Sequence, residues 1–270
     1  MRHLGQDKIK LMKKYLLLLT TALIGLNLTP AFAQMGRTPS GPSFDGATGK
    51  LLGEHSTFTA NLEFQTTESS GGTVTMPGKI AFDAGKSRFE MNMSEMKGSK
   101  MPPNAAANMK AMGMDTMYSI SRPDKKLTYT VYPGLRSYVE ATPKTPPTEA
   151  GKDDYKVVVT ELGKETVDGH PCIKNKVVVT DKEGKAQEST IWNATDLKKF
   201  PVKIMTIAQG NSTTMLFKNV SLDKPDASSF EAPDDYTKYQ SMQTMMQTEM
   251  IKKMGVGGAM GGGMGMPPGR

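Results

Sequence analysis

Residues 163–236 contain three short motifs that indicate the fold: Asp168-Gly169-His170-Pro171-Cys172, then Ile191-Trp192-Asn193, then Lys199-Phe200-Pro201-Val202-Lys203. Their spacing predicts a strand, a tight turn and a second strand, then a hairpin, a third strand, a short helical corner and a return strand. Asp-Gly suits a tight turn because both residues tolerate the backbone angles that such turns require. The segment ends in Phe230-Glu231-Ala232-Pro233 and Tyr236, which we expect to fold back and cover a sheet with aromatic rings.

An alternation of apolar and polar residues recurs along the rest of the chain. Phe58, Ala60, Leu62 and Phe64 alternate with polar neighbours, and a similar pattern returns about every ten residues, with turn residues between. This two-residue period is typical of half-buried strands. We predict about eleven strands without helix–strand alternation. The fold class expected is mainly β: a strongly curved antiparallel sheet or half-open barrel with one or two covering helices.

The ends of the chain differ in composition from its middle. Residues 1–33 have a basic start, an apolar run and Ala31-Phe32-Ala33, which indicates a secretory signal peptide cleaved near Ala33. We expect a flexible arm over 34–53, one β-rich domain over 54–239, an amphipathic helix over 240–254 and a disordered Gly/Met tail over 255–270. No later stretch is long and apolar enough to span a membrane, so a periplasmic or secreted protein is predicted.

Charge and residue content disfavour several classes of function. Residues 1–33 contain five of the 34 basic and one of the 27 acidic residues, so the remainder has a net charge of only about +3. A nucleic-acid partner is therefore not expected. Beyond the leader, only His55 and His170 could serve as imidazole catalysts, and hydrolase and phosphate-loop motifs are missing. We predict a protein that is not an enzyme and needs no cofactor.

His170 and Cys172 lie two residues apart and could reach a metal from one face of a strand. Two ligands do not complete a tetrahedral site, and a lone cysteine that begins a strand is usually a small buried apolar residue. We therefore expect Cys172 to be buried and structural.

Methionine is concentrated in two clusters, each with 8 of the chain's 22 methionines, over residues 91–117 and 242–266. Thioether side chains suit apolar contact with varied partners, and they are also soft ligands for Cu(I). If the methionines make apolar contacts, those that recur every fourth residue form the contact face of a lid or partner helix: Met242, Met246, Met250 and Met254. The alternative copper site would draw on the first cluster: Met91, Met93, Met96, Met109, Met112, Met114 and Met117.

The run Gly163-Lys164-Glu165-Thr166-Val167-Asp168-Gly169-His170-Pro171-Cys172 resembles the turn of a bacterial exported family known only as a domain of unknown function. Trp192 and Phe200-Pro201 stand where that family has a Trp strand and a proline-led return strand. Residues 120–129 and 138–140 are similar to its other recurrent stretch. The resemblance implies a fold like that of periplasmic lipoprotein carriers, a half-open β-barrel closed by helices, and it supplies no catalytic residues.

These observations favour a binding or carrier protein for an apolar ligand, an acyl chain, lipid or lipoprotein, in the cell envelope. The alternatives are a methionine-rich periplasmic Cu(I) binder and an envelope protein that contacts another protein without a small ligand. Large or flexible apolar side chains are the candidates for lining a ligand cavity, although such residues also commonly fill a core. The candidates are Tyr118, Tyr129, Trp192, Met109 and Met112.

Overall fold

The structure is a computed structural model that describes residues 46–69, 71–98, 104–143, 155–208 and 210–253. These residues belong to one unit, residues 41–270. The predicted signal peptide, the Gly/Met tail and Met254 lie outside the described residues.

The described residues form twelve strands and three α-helices. The strands are β1 (Thr57–Thr67), β2 (Thr73–Asp83), β3 (Lys86–Asn92), β4 (Thr116–Arg122), β5 (Leu127–Tyr132), β6 (Ser137–Ala141), β7 (Lys156–Val167), β8 (His170–Thr180), β9 (Ala186–Ala194), β10 (Phe200–Ala208), β11 (Asn211–Ser221) and β12 (Thr237–Tyr239). The helices are α1 (Gly46–Lys50), α2 (Ala105–Met112) and α3 (Met242–Lys253). No described helix is long and apolar enough to cross a membrane.

All twelve strands join one sheet in the order β12-β6-β5-β4-β3-β2-β1-β11-β10-β9-β8-β7. Its two ends, β12 and β7, are not paired with each other, so the sheet is curved but unclosed. The predicted fold class is therefore confirmed. One pairing departs from the expected antiparallel pattern, because the three-residue β12 runs parallel to β6.

One face of the sheet carries the main core. Residues of α1, α2 and α3 belong to this core or pack against it. Strand alternation puts Phe58 and Leu62 on this face, which we call the helix-covered face. The same core continues from Val139 in β6 to Val179 in β8, so it spans most of the sheet. One contiguous cluster of side chains packs against most of the strands. A change in the packing of this core would therefore also change the curvature of the sheet.

Four phenylalanines form the centre of this core. The ring of Phe58 lies 4.9 Å from that of Phe200, 5.5 Å from that of Phe82 and 5.9 Å from that of Phe217, centroid to centroid. The rings come from four strands and pack mainly edge to face, the arrangement that aromatic quadrupoles favour. Phe200 of the proline-led return strand is thus a central core residue.

A smaller cluster covers the opposite surface, the outer face. Phe230 is buried there against Tyr118, Ile120, Tyr129 and Val131. This confirms that the segment ending in Tyr236 folds back over the sheet. Residues 226–236 therefore pack across the outer face of β3–β6.

Arg122 anchors that segment from β4. Its buried guanidinium donates to the Phe230 carbonyl oxygen at 3.1 Å, pairs bidentately with Asp124 and also pairs with Glu231. A guanidinium can satisfy several acceptors in one plane, so a single side chain holds the covering segment to the sheet.

Two boundaries differ from the prediction. Residues 46–50 form α1, and Leu51 and Leu52 are buried in the core, although 34–53 was predicted as a flexible arm. Two adjacent leucines supply enough apolar area to order this stretch. The strand predicted before the Asp168-Gly169 turn reaches back to Lys156, because β8 pairs with it along its whole length across a bulge.

Candidate binding site

An apolar groove lies between α2 and α3. Its volume is about 140 Å³ and nearly all of its exposed lining is apolar. Seven residues line it, and we call it the methionine groove: Met112, Met114, Leu135, Met246, Glu249, Met250 and Lys253. Flexible thioether side chains therefore determine its shape.

A contact between two glycines places the first part of the groove. α2 ends at Met112, and Gly113 follows with a left-handed φ of 72° that caps the helix. A Cβ on Gly113 would lie 2.6 Å from the carbonyl oxygen of Gly134, and one on Gly134 would lie 2.5 Å from that of Gly113. Glycine at both positions permits this close approach. The approach sets Met112 and Met114 beside Leu135.

The helix α3 supplies the second part. Ser241 caps its start, since the hydroxyl accepts a hydrogen bond from the Thr244 N–H at 3.1 Å. Met245 is fully buried in the core and fixes the rotation of the helix. Met246 and Met250, one turn apart on an adjacent face, then line the groove.

Glu249 holds α3 to the sheet through a buried carboxylate. Its Oε1 accepts hydrogen bonds from the Tyr239 hydroxyl at 2.6 Å, Lys252 Nζ at 2.8 Å and the Ser137 hydroxyl at 3.3 Å. Burial raises the pKa of this carboxyl, but the hydrogen bonds from Lys252, Tyr239 and Ser137 together outweigh burial and leave the pKa below its usual value. The carboxylate is therefore ionised at neutral pH.

The second charged residue of the groove joins the two helices. Lys253 Nζ donates to the Ala111 carbonyl oxygen of α2 at 3.3 Å. Both charged groups of the groove thus have partners, and the remaining lining offers apolar and thioether contact.

The structure does not bring the predicted cavity residues together. Met109 is buried in the core of the helix-covered face, and Met112 lines the groove. Tyr118 and Tyr129 belong to the cluster on the outer face. Their role in ligand binding stays a prediction, and of the five candidates Met112 is the one that lines the methionine groove.

Trp192, the fifth candidate, is only 3% exposed and is held by charged groups. Lys203 Nζ lies 4.4 Å and Lys174 Nζ 5.2 Å from the ring centroid. The indole N–H donates to Glu165 Oε2 at 2.6 Å. These cation–π and hydrogen-bond contacts account for a tryptophan at this position without a ligand.

The two predicted methionine sets occupy mixed positions. Met91 and Met117 pair across β3 and β4 inside the core, while Met93 and Met96 pack against it. Met242 also packs against the core. The groove therefore combines Met112 and Met114 of the predicted copper set with Met246 and Met250 of the predicted lid stripe.

Two wider grooves on the outer face have a mixed polar and apolar lining. Their volumes are about 330 and 380 Å³, and Asn61, Lys79 and Glu90 line both. Charged side chains at their edges pair with each other, as Lys218 does with Glu63 at 3.2 Å. They are larger than the methionine groove, but their lining is less apolar.

The turn before β8 is structural. Cys172 is 3% exposed, its thiol donates to the His170 carbonyl oxygen at 3.3 Å, and burial raises the pKa of the thiol. The prediction that Cys172 is buried is confirmed. His170 Nδ1 lies 2.8 Å from Asp196 Oδ2 instead. Within the described ranges, no group of three His, Cys, Asp or Glu residues could hold a metal ion.

Sequence reasoning missed three residues that shape the site. Leu135 and Gly134 belong to a short turn, and no local sequence pattern predicts the contact of this turn with the end of α2. Glu249 could have been noticed, since it lies four residues after Met245 and so shares the buried face of α3.

A protein-family model described as "Domain of unknown function (DUF4412)" matches residues 58–199. This is more than half of the 270 residues. The chain belongs to the DUF4412 family. The family recognised from the Gly163–Cys172 run is thereby confirmed. The DUF4412 match includes α2 and Gly134 but ends before α3, so the groove is built half inside and half outside the matched region.

Solved structures resemble the chain weakly. A LolA superfamily protein from Nitrosomonas europaea is 8% identical, with 67% of this chain and 93% of that protein covered and a TM-score of 0.35. The lipoprotein LppX from Mycobacterium tuberculosis is 12% identical, with 61% and 89% covered and a TM-score of 0.34. LprF from Mycobacterium bovis is 13% identical, with 69% and 96% covered and a TM-score of 0.38. Among curated proteins, no match was found.

Proposed function

We propose that this DUF4412 protein is an exported, non-enzymatic binding protein for an apolar chain such as an acyl group, and that the methionine groove is where the chain enters. The observation that carries the proposal is an apolar groove between two helices over a curved sheet. Ligand sites of this kind are concave and mostly apolar, with a few polar groups at the edge.

The size of the groove indicates how binding proceeds. At about 140 Å³ it is smaller than the roughly 300–1,000 Å³ of typical ligand pockets. A long acyl chain therefore requires α3 to move away from α2. Met246 and Met250 can change rotamer at low cost, which lets the groove widen around chains of different shape.

The polar groups of the groove support binding rather than catalysis. Its titratable residues are Glu249 and Lys253, and both are already bonded within the protein. A general acid or base needs to reach the reacting group, and Glu249 is occupied by three donors.

The site of action that we propose is the cell envelope, in the periplasm or after secretion. The support is the sequence of residues 1–33, which predicts a signal peptide cleaved near Ala33. An acyl ligand presented by a lipoprotein or membrane would be available in that compartment. We propose a lipoprotein or another envelope protein as the donor or acceptor of the ligand.

Two neighbouring positions of α3 provide a matched test. Met250 lines the groove, whereas Ile251 is 49% exposed. Met250→Glu places a carboxylate against an apolar ligand and should weaken binding of a fluorescent fatty acid at least about tenfold, because tenfold is only about 1.4 kcal/mol. Ile251→Glu adds the same charge to the same helix and should leave affinity within about twofold.

Fluorescence titration of the mature protein measures both affinities, and circular dichroism verifies that both variants are folded. Equal affinity of the two variants would show that the ligand lies elsewhere. A parent protein without saturable probe binding would refute the proposed function.

A further inference from the structure

Four thioethers from two distant parts of the chain line one small groove. Met112 ends α2 and Met114 follows it, and Met246 and Met250 come from α3, more than 130 residues later. Leucine would supply a similar apolar area but no donor atom. Four sulfur atoms around one cavity are a donor set with its own chemistry.

We propose that the methionine groove is a Cu(I) site in which Met112, Met114, Met246 and Met250 supply the ligands. Thioether sulfur is a soft, neutral donor that favours Cu(I) and the similarly soft Ag(I) over hard cations such as Mg²⁺. The site differs from both sets predicted from sequence, because it takes two methionines from each.

The placement of the four residues supports convergence of their sulfur atoms. The Gly113–Gly134 contact fixes the backbone beside Met112 and Met114. Met246 and Met250 lie one turn apart and present their side chains along one line of α3. Each methionine has three rotatable side-chain bonds, which lets its sulfur atom adjust its position toward an ion.

Charges at the groove set the expected strength of binding. Four neutral thioethers leave the positive charge of Cu(I) uncompensated. Glu249 lines the groove and attracts the ion, but it is already paired with Lys252 at 2.8 Å. Lys253 lines the groove as well and repels the ion. Removal of the Lys253 charge should therefore strengthen Cu(I) binding.

This inference does not rest on the proposed function. Leucine retains the apolar area and helix propensity of methionine, but it provides no donor atom. Replacement of groove methionines by leucine therefore separates Cu(I) binding from the binding of an acyl probe.

The test is anaerobic competition for Cu(I) between the full mature chain and the chromophoric chelator bicinchoninate. Met246→Leu/Met250→Leu should lower Cu(I) affinity at least about tenfold and remove one bound ion from the stoichiometry. The control Met205→Leu/Met242→Leu also deletes two thioethers, one of them on α3, but neither lines the groove. The control should bind as the parent does.

A second variant tests the charge argument in the opposite direction. Lys253→Gln should raise Cu(I) affinity at least about twofold, since it deletes a cation beside the ion. X-ray absorption at the copper edge should show sulfur neighbours in the parent and fewer of them in Met246→Leu/Met250→Leu.

Three results would overturn the proposal: no competition by the parent, equal loss in the groove and control variants, or unchanged affinity in the groove variant. Binding of the fluorescent fatty acid to the groove variant is measured in parallel. Loss of Cu(I) binding with retained fatty-acid binding supports the copper site. The fatty-acid titrations decide the proposed function, and the Cu(I) titrations do not bear on it.

Discussion

At the residue scale, the contact between Gly113 and Gly134 positions the groove. Backbone atoms oppose each other there, so an added Cβ meets a carbonyl oxygen and not a flexible side chain. Neighbouring side chains cannot relieve such a clash by changing rotamer. The two turns must separate instead, and the separation would move Leu135 away from Met112 and Met114.

Gly134→Ala should therefore lower the free energy of unfolding by about 1–3 kcal/mol, the usual cost of overpacking. Gly72→Ala is the control, since the nearest atom to its Cβ would be a Glu68 side-chain oxygen at 3.6 Å. Denaturant titration measures both. A cost for Gly134→Ala no larger than that for Gly72→Ala would contradict a rigid contact between the turns.

Some residues of the fold were predictable and others were not, for a physical reason. The burial of Cys172 followed from its place at the start of a strand, and the burial of Phe230 from the pattern around it. Arg122 and Glu249 were not predicted in their roles, because each also bonds to a residue more than 100 positions away, Phe230 for Arg122 and Ser137 for Glu249. Local periodicity reports the face of an element and not what packs against it.

At the element scale, α3 combines apolar contacts with one ionic attachment. Met245 packs into the core, and Glu249 receives hydrogen bonds from β6, β12 and its own helix. The pKa of Glu249 lies below the usual value, so its ionised form stabilises the folded state. This stabilisation is present above the unfolded pKa of about 4.3 and is lost as the pH falls through the folded value.

Glu249→Gln should destabilise the protein at pH 7 by about 1–3 kcal/mol, because it weakens hydrogen bonds to a buried charge. The difference from the parent should shrink as the pH is lowered below about 4. Denaturant titration at several pH values measures this difference. Glu183→Gln, at an exposed turn, serves as the control and should show little difference at any pH. A pH-independent cost for Glu249→Gln would mean that its charge does not hold α3.

The presence of a strand could be predicted from the sequence wherever one face of that strand is buried. β1 alternates buried and exposed residues over its first half and was recognised from that pattern. β7 is exposed along nearly its whole length, so its sequence lacks the alternation that marks a strand's limits. Its extent is determined by pairing with β8 instead.

At the scale of the whole molecule, chain connectivity favours a curved sheet. β6 and β7 are ten strand spacings apart in the sheet, or about 48 Å if it were flat. The connection from Ala141 to Lys156 reaches about 50 Å only when fully extended. Curvature shortens this distance, so the connection does not need to be fully extended.

The unclosed sheet also predicts a gradient of stability from centre to edge. β1, β10 and β11 meet at the Phe58, Phe200 and Phe217 rings, and each is paired on both sides. Among the described strands β7 is paired only with β8, and Val159 on it is 58% exposed. Amides that lack a partner strand and buried neighbours exchange through small local openings, whereas central amides require nearly global unfolding. Hydrogen exchange measured by mass spectrometry should therefore be fastest in β7 among the strands from β7 to β11, and slowest in β1, β10 and β11. Protection of β7 as strong as that of β1 would show that another segment or molecule pairs with its free edge in solution.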